Sequence, residues 1–172
     1  METTTQATTE HMLHTEPQKE HRWLNKLLGE WTSEGEAPME PDKPPSTFRG
    51  TEKVRSLGGL WIVAEGEGEM PGGGPATTMM TLGFDPTRKR FIGTWVGSMM
   101  AHLWIYDGSL DEEERVLTLN TVGPHMTKKG GTAKYTDVIE FKSEDHRTLT
   151  AFVLGDDGKW TEIMKAHYRR KR

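Results

Sequence analysis

Residues 77–84 read TTMMTLGF, residues 85–89 read DPTRK, and residues 90–98 read RFIGTWVGS. Two apolar-and-Thr runs flank an Asp-Pro turn, which is the pattern of a β-hairpin. The next run, His102–Leu110, reads HLWIYDGSL and continues the same alternation. With a tip at Met100-Ala101, Met99 faces His102, Gly97 faces Trp104, and Trp95 faces Tyr106. Residues alternate sides along a strand, so these six share one face. The opposite face carries Ile92, Val96, Leu103 and Ile105, which are aliphatic.

Working outward, ten such segments follow one another between Glu30 and Arg169. Leu57-Gly58-Gly59 and Asp156-Asp157-Gly158 supply the positive φ that tight hairpins need. Two longer loops, Pro38–Ser46 and Met70–Ala76, carry Pro and Gly without phosphate-binding spacing. Ten antiparallel strands laid flat would leave two long edges exposed, and closing the sheet removes both. The expected fold is all-β: a closed antiparallel up-and-down barrel of about ten strands. A two-sheet sandwich is the alternative and needs longer crossing connections.

One helix precedes the strands. Thr15 and Gln18 have capping-box spacing. Trp23, Leu24, Leu27 and Leu28 fall on one helical face, and Gly29 stops the run. Residues 17–28 should form about three turns covering one mouth of the barrel. Residues 1–16 are Thr-, Gln- and Glu-rich without a period and are expected to form a disordered tail. Residues 17–172 then make a single domain.

Composition narrows the function. The 172 residues contain no Cys, which removes disulfides, thiolate catalysis and cysteine-ligated metals. A net charge of −4 argues against a nucleic-acid partner. The basic end, Tyr168 to Arg172, is short and has no accompanying basic stripe. No run is long and apolar enough to span a bilayer, and no secretory signal is visible, so a cytoplasmic location and no membrane partner are expected. Only 33% of residues are hydrophobic, so ten Met and six Trp must supply much of the core.

Five short segments in register resemble domain-of-unknown-function family 1579, a bacterial family of calycin-like, lipocalin-like barrels. They are Leu27-Leu28-Gly29-Glu30-Trp31, Leu57-Gly58-Gly59-Leu60-Trp61, Leu82-Gly83-Phe84-Asp85-Pro86, Gly93-Thr94-Trp95 and Asp157-Gly158-Lys159 before a last strand ending in Tyr168-Arg169. Gly29 and Trp31 also look like the calycin glycine–tryptophan pair. The resemblance implies that Trp31 plugs the closed end and meets a basic residue of the final strand, placed at Arg169. Gly97 stands where the family often has an acidic residue. The family has no agreed activity. Wider calycin relatives bind small apolar ligands, and some related ten-stranded barrels hold haem.

The rings, Met and Gly97 on one face of the Arg90–Leu110 hairpin fit a pocket lining or a filled barrel equally well. Met80, from a Met pair, and Met164 belong to neighbouring strands and suit either role. Glu162 shares a parity with Trp160 and Met164, which would place a carboxylate in an apolar lumen and raise its pKa. His167 alternates with Ile163, Lys165 and Arg169 and is expected to face out, so neither haem nor any other cofactor is expected. No three His converge by spacing, and no metal is expected. The expected function is non-covalent binding of a small, largely apolar ligand. Its lining would be Met80, Trp95, Met99, His102, Trp104, Tyr106, Glu162 and Met164. Two alternatives stand beside it: a small-molecule enzyme using Glu162 and His102 as an acid–base pair, and a filled barrel acting as a homodimer or larger homo-oligomer.

Overall fold

A computed structural model describes residues 13–172; the expected tail lies mostly outside the described residues. Helix α1 (Lys19–Leu24) runs into one 3-10 turn (Asn25–Leu27). Ten strands follow: β1 (Gly29–Ala37), β2 (Ser46–Leu57), β3 (Trp61–Glu69), β4 (Pro75–Asp85), β5 (Arg90–Gly97), β6 (Trp104–Leu110), β7 (Val116–Pro124), β8 (Thr132–Ser143), β9 (His146–Leu154) and β10 (Trp160–Arg170). Each pairs antiparallel with its sequence neighbours, and β1 closes the barrel against β10. No sheet edge is left open for pairing with another chain.

The helix is shorter than three turns, and its cap is Gln18 rather than Thr15. The His21 ring supplies the return contact: Nδ1 accepts the Gln18 N–H at 2.9 Å. That fixes the tautomer in which Nε2–H donates to the Phe84 carbonyl at 3.1 Å. Trp23, Leu24 and Leu27 are buried, as the helical spacing requires. Trp23 meets Phe91 and Phe141 edge-on at 6.0 and 5.7 Å, and its indole N–H donates to the Glu114 carbonyl at 2.7 Å. The helix therefore closes the end of the barrel where the β2–β3, β4–β5, β6–β7 and β8–β9 turns gather.

Trp31 is fully buried at this closed end. Its indole N–H donates to the Leu27 carbonyl at 2.9 Å. Its basic partner on the final strand is Arg170, whose guanidinium lies 4.2 Å from the ring, and not Arg169. The register explains the correction. Trp31 stands directly opposite Arg170, and opposed residues share a face; Arg169 stands opposite Thr32 and points outward. Arg170 also donates to the carbonyls of Leu28 (2.5 Å), Lys26 (3.0 Å) and Glu144 (3.0 Å), tying the helix exit to the β8–β9 turn. A second guanidinium, from Arg147 on β9, lies 4.7 Å from the same indole.

Side-chain size falls along the lumen from the closed end to the open end. On β3 the inward residues run Ile62, Ala64, Gly66, Gly68, and on β7 they run Leu117, Leu119, Thr121, Gly123. The closed half is packed by Val54, Ile62, Leu82, Phe84, Phe91, Leu117, Leu119, Ile139 and Phe141. Each such buried side chain contributes roughly 1.5–3 kcal/mol relative to exposure. In the other half, Gly35, Gly97 and Gly123 are covered by the rings of Phe48, Trp95 and Trp104, and the lumen between those rings stays open.

Outside the barrel an apolar strip runs across β4 to β7. Met79 opposes Val96, Thr94 opposes Ile105, and Met79, Val96, Leu103, Ile105 and Val122 are all exposed. Among the described residues, no helix is long and apolar enough to cross a membrane.

Candidate functional site

The open half of the barrel holds a cavity of about 720 Å³ that reaches solvent at the end opposite the helix. Its mouth is formed by Met39 of the β1–β2 loop, Met70 of the β3–β4 loop, Met99 and Met100 of the β5–β6 loop, and Met126 of the β7–β8 loop. Thioether side chains on loops give an apolar, adaptable entrance. Trp95, Trp104, Tyr135 and Phe48 form walls below it.

Two rings are held by glycines. Any Cβ at Gly97 would sit 2.5 Å from the Trp95 ring, and a Cβ at Gly123 would sit 2.1 Å from the Trp104 ring. The benzene edges of the indoles lie against bare backbone, and they can do so only because those positions lack side chains. Trp104 is further fixed edge-on to Tyr135 at 4.9 Å, and its N–H points to the Met100 sulfur at 3.1 Å. Tyr135 donates to the Pro124 carbonyl at 2.5 Å.

Met80, Trp95, Met99, Trp104, Tyr106 and Met164 all line this cavity. His102 and Glu162 do not. Trp95 pairs directly with Trp104, so residues 98–103 form a loop and the strand alternation stops before His102. The His102 Nε2 instead lies 3.1 Å from the Val122 carbonyl, with the ring edge-on to Trp104 at 4.8 Å. Glu162 is turned out by a β-bulge. Glu162 opposes Phe152 but Met164 opposes Ala151, so Ile163 is the extra residue. The bulge inverts the alternation. Ile163 and Met164 both line the cavity, while Trp160 and Glu162 are exposed. The acid–base couple expected from Glu162 and His102 is not assembled in the lumen. His167 faces away from it and pairs with His146, Nε2 to Nδ1, at 2.9 Å.

The cavity floor is polar, and most of it escapes the sequence reading. The Tyr106 hydroxyl donates to Asp137 at 2.5 Å. Glu52 and Arg147 form a buried ion pair, and the Arg147 guanidinium also lies 4.1 Å from the Tyr168 ring. Thr121 is 8% exposed, lines the cavity, and its hydroxyl has no partner. Burial raises the Asp137 carboxyl above the ordinary carboxylate range, with the Tyr106 hydrogen bond pulling the other way. Burial, then the Asp137 charge, pushes the Tyr106 hydroxyl well above its ordinary value. Burial, then Glu52, does the same to Tyr168. All three are held toward their protonated forms.

The signal for this floor was present in the strand parity. Tyr135, Asp137, Ile139 and Phe141 alternate on β8, and Phe48, Gly50, Glu52 and Val54 alternate on β2. A carboxylate on an apolar face is the feature that singled out Glu162, and on β2 and β8 no bulge intervenes on the way to it. Among the described residues, no group of three His, Asp or Glu is placed to hold a metal ion.

The barrel is similar to the crystal structure of Rv2717c from M. tuberculosis. Identity is 14%, the TM-score is 0.59, and the match covers 91% of this chain and 100% of that one. It also matches the structure of EF1p2_mFAP2b bound to DFHBI at 13% identity and a TM-score of 0.48, over 88% of this chain and 99% of that one. At such identities the likeness to Rv2717c is one of fold alone. No curated protein matches the chain. Residues 16–170 match the model of the family described as "Protein of unknown function (DUF1579)", and the chain belongs to that family.

Proposed function

We propose that this barrel binds a small, largely apolar molecule non-covalently in its open half. The observation that supports it is the cavity itself: about 720 Å³, walled by indoles, phenyl and phenol rings and Met, with a few polar groups gathered at one end. Small-molecule sites have this size and this balance of apolar walls and convergent polar groups. Trp31 packed under Arg170 at the closed end supports the calycin-like kinship, whose wider members bind apolar ligands. Met80, Trp95, Trp104 and Met164 would bury the ligand, Met99 would close over it, and Tyr106 would orient it.

The test is titration with Nile red, an apolar fluorophore that brightens out of water. The expected result is saturable enhancement at one dye per chain, with affinity falling several-fold in Trp95→Ala. A dye signal that never saturates, or one unchanged by Trp95→Ala, would remove the lumen from consideration. The exposed strip of Met79, Val96, Leu103, Ile105 and Val122 favours a second reading, self-association through that face. Sedimentation equilibrium of the wild type and of Ile105→Lys tests it: a dimer that Ile105→Lys dissolves supports it, and a monomeric wild type rejects it.

A further inference from the structure

Two carboxylates stand on the cavity floor, and only one has a positive partner. Glu52 is paired with Arg147. Asp137 accepts one hydrogen bond from a neutral phenol, and among the described residues no Lys, Arg or His nitrogen lies within ion-pair distance of it. Its free oxygen shares the lumen with the unpartnered Thr121 hydroxyl. A buried acceptor without a counter-charge is costly to maintain unless something else supplies the charge.

On β3 the inward positions are Gly66 and Gly68, so Glu67 and Glu69 turn outward, and Asp137 is the unpaired charge of the floor. An unpaired charge on a floor removed from water draws in the opposite sign. Trp95, Trp104 and Tyr135 add π faces, which attract cations and not anions.

We propose that the molecule taken up by this lumen is a hydrophobic amine, seated with its ammonium group down on Asp137 and its apolar body toward the methionine mouth. The ammonium would donate to the free Asp137 oxygen and to Thr121 Oγ1, and Tyr106 would hold the carboxylate in place. A fatty acid or other hydrophobic anion is disfavoured by Asp137. This inference rests on the lumen being a binding site and specifies what that site selects.

The experiment uses three molecules of one shape: 1-naphthylmethylamine, 1-naphthylmethanol and 1-naphthoic acid, each competed against Nile red at pH 7.5. The expected order is amine first by tenfold or more, then alcohol, then acid. In Asp137→Asn the amine should fall to within about twofold of the alcohol. Thr121→Val, which preserves shape, should weaken the amine several-fold more than the alcohol. Equal affinities for amine and alcohol in the wild type, or a preference for the acid, would overturn the proposal while leaving a lumen binder. Failure of all three and of the dye would overturn the binding function itself. Because the wild-type order is decisive, the test does not depend on either variant folding.

Discussion

Glu52 on β2 and Arg147 on β9 form a buried ion pair at the level where the barrel changes from packed to hollow. Two strands, β1 and β10, separate their own strands around the wall. Below the pair, Arg147 covers Trp31; beside it, Arg147 stacks on Tyr168. Both partners are almost wholly removed from solvent, so neither ion has water to fall back on.

Removing one partner should therefore cost far more than removing both. Arg147→Met strands the Glu52 carboxylate and should destabilise by about 3–5 kcal/mol, whereas Arg147→Met with Glu52→Leu should recover most of the loss. Urea unfolding of the two single variants and the double variant checks this. Losses that simply add would mean that the two side chains stabilise the barrel independently.

The two halves of the barrel should respond differently to the same truncation. Leu82 and Trp31 are 0% exposed, and either one changed to Ala should cost roughly 3–5 kcal/mol through an unfilled cavity. Trp95 already borders open space, so Trp95→Ala should cost under half of that while weakening Nile red. Thermal melts paired with dye titration separate the two effects.

Glycine positions should control the pocket without touching its lining chemistry. Gly123→Val places a side chain where the Trp104 ring lies, and Gly97→Val does the same to Trp95. Each should keep a β-rich far-ultraviolet spectrum, shift tryptophan emission to the red, and lower dye affinity several-fold. Near-ultraviolet dichroism reports the displaced ring directly.

Asp137 gives stability a pH dependence of known sign. Its carboxyl is raised in the folded state, so folding favours the protonated form. Relative to an Asn there, Asp137 is fully tolerated below the ordinary carboxylate range and becomes destabilising as pH climbs through its raised value. Asp137→Asn should match the wild type near pH 3.5 and exceed it in melting temperature at pH 8. A gap that stays constant with pH would mean that the carboxyl is not held toward protonation.

The strands, their up-and-down order and the helical face of Trp23, Leu24 and Leu27 were legible because each is a local period or a local turn. Closure followed from the edge problem alone. Three assignments went astray, two of them at places where one extra residue or a loop resets the period. The bulge at Ile163 turned Glu162 out of the lumen, the six-residue β5–β6 loop took His102 to the rim, and a one-residue choice of partner put Arg169 for Arg170. Parity is conserved along a strand and carries nothing across such breaks. The size gradient from Ile62 to Gly68, by contrast, lies within one unbroken strand. The structure shows it as the step from the packed half to the hollow half.

The most direct measurement is a native mass spectrum of the purified chain, recorded before and after incubation with Nile red and compared with the denatured mass. The account predicts an added mass of one small molecule per chain, either carried through purification or supplied by the dye, that disappears on denaturation and is reduced in Trp95→Ala. A spectrum showing only the bare chain under both conditions would contradict a ligand-binding lumen.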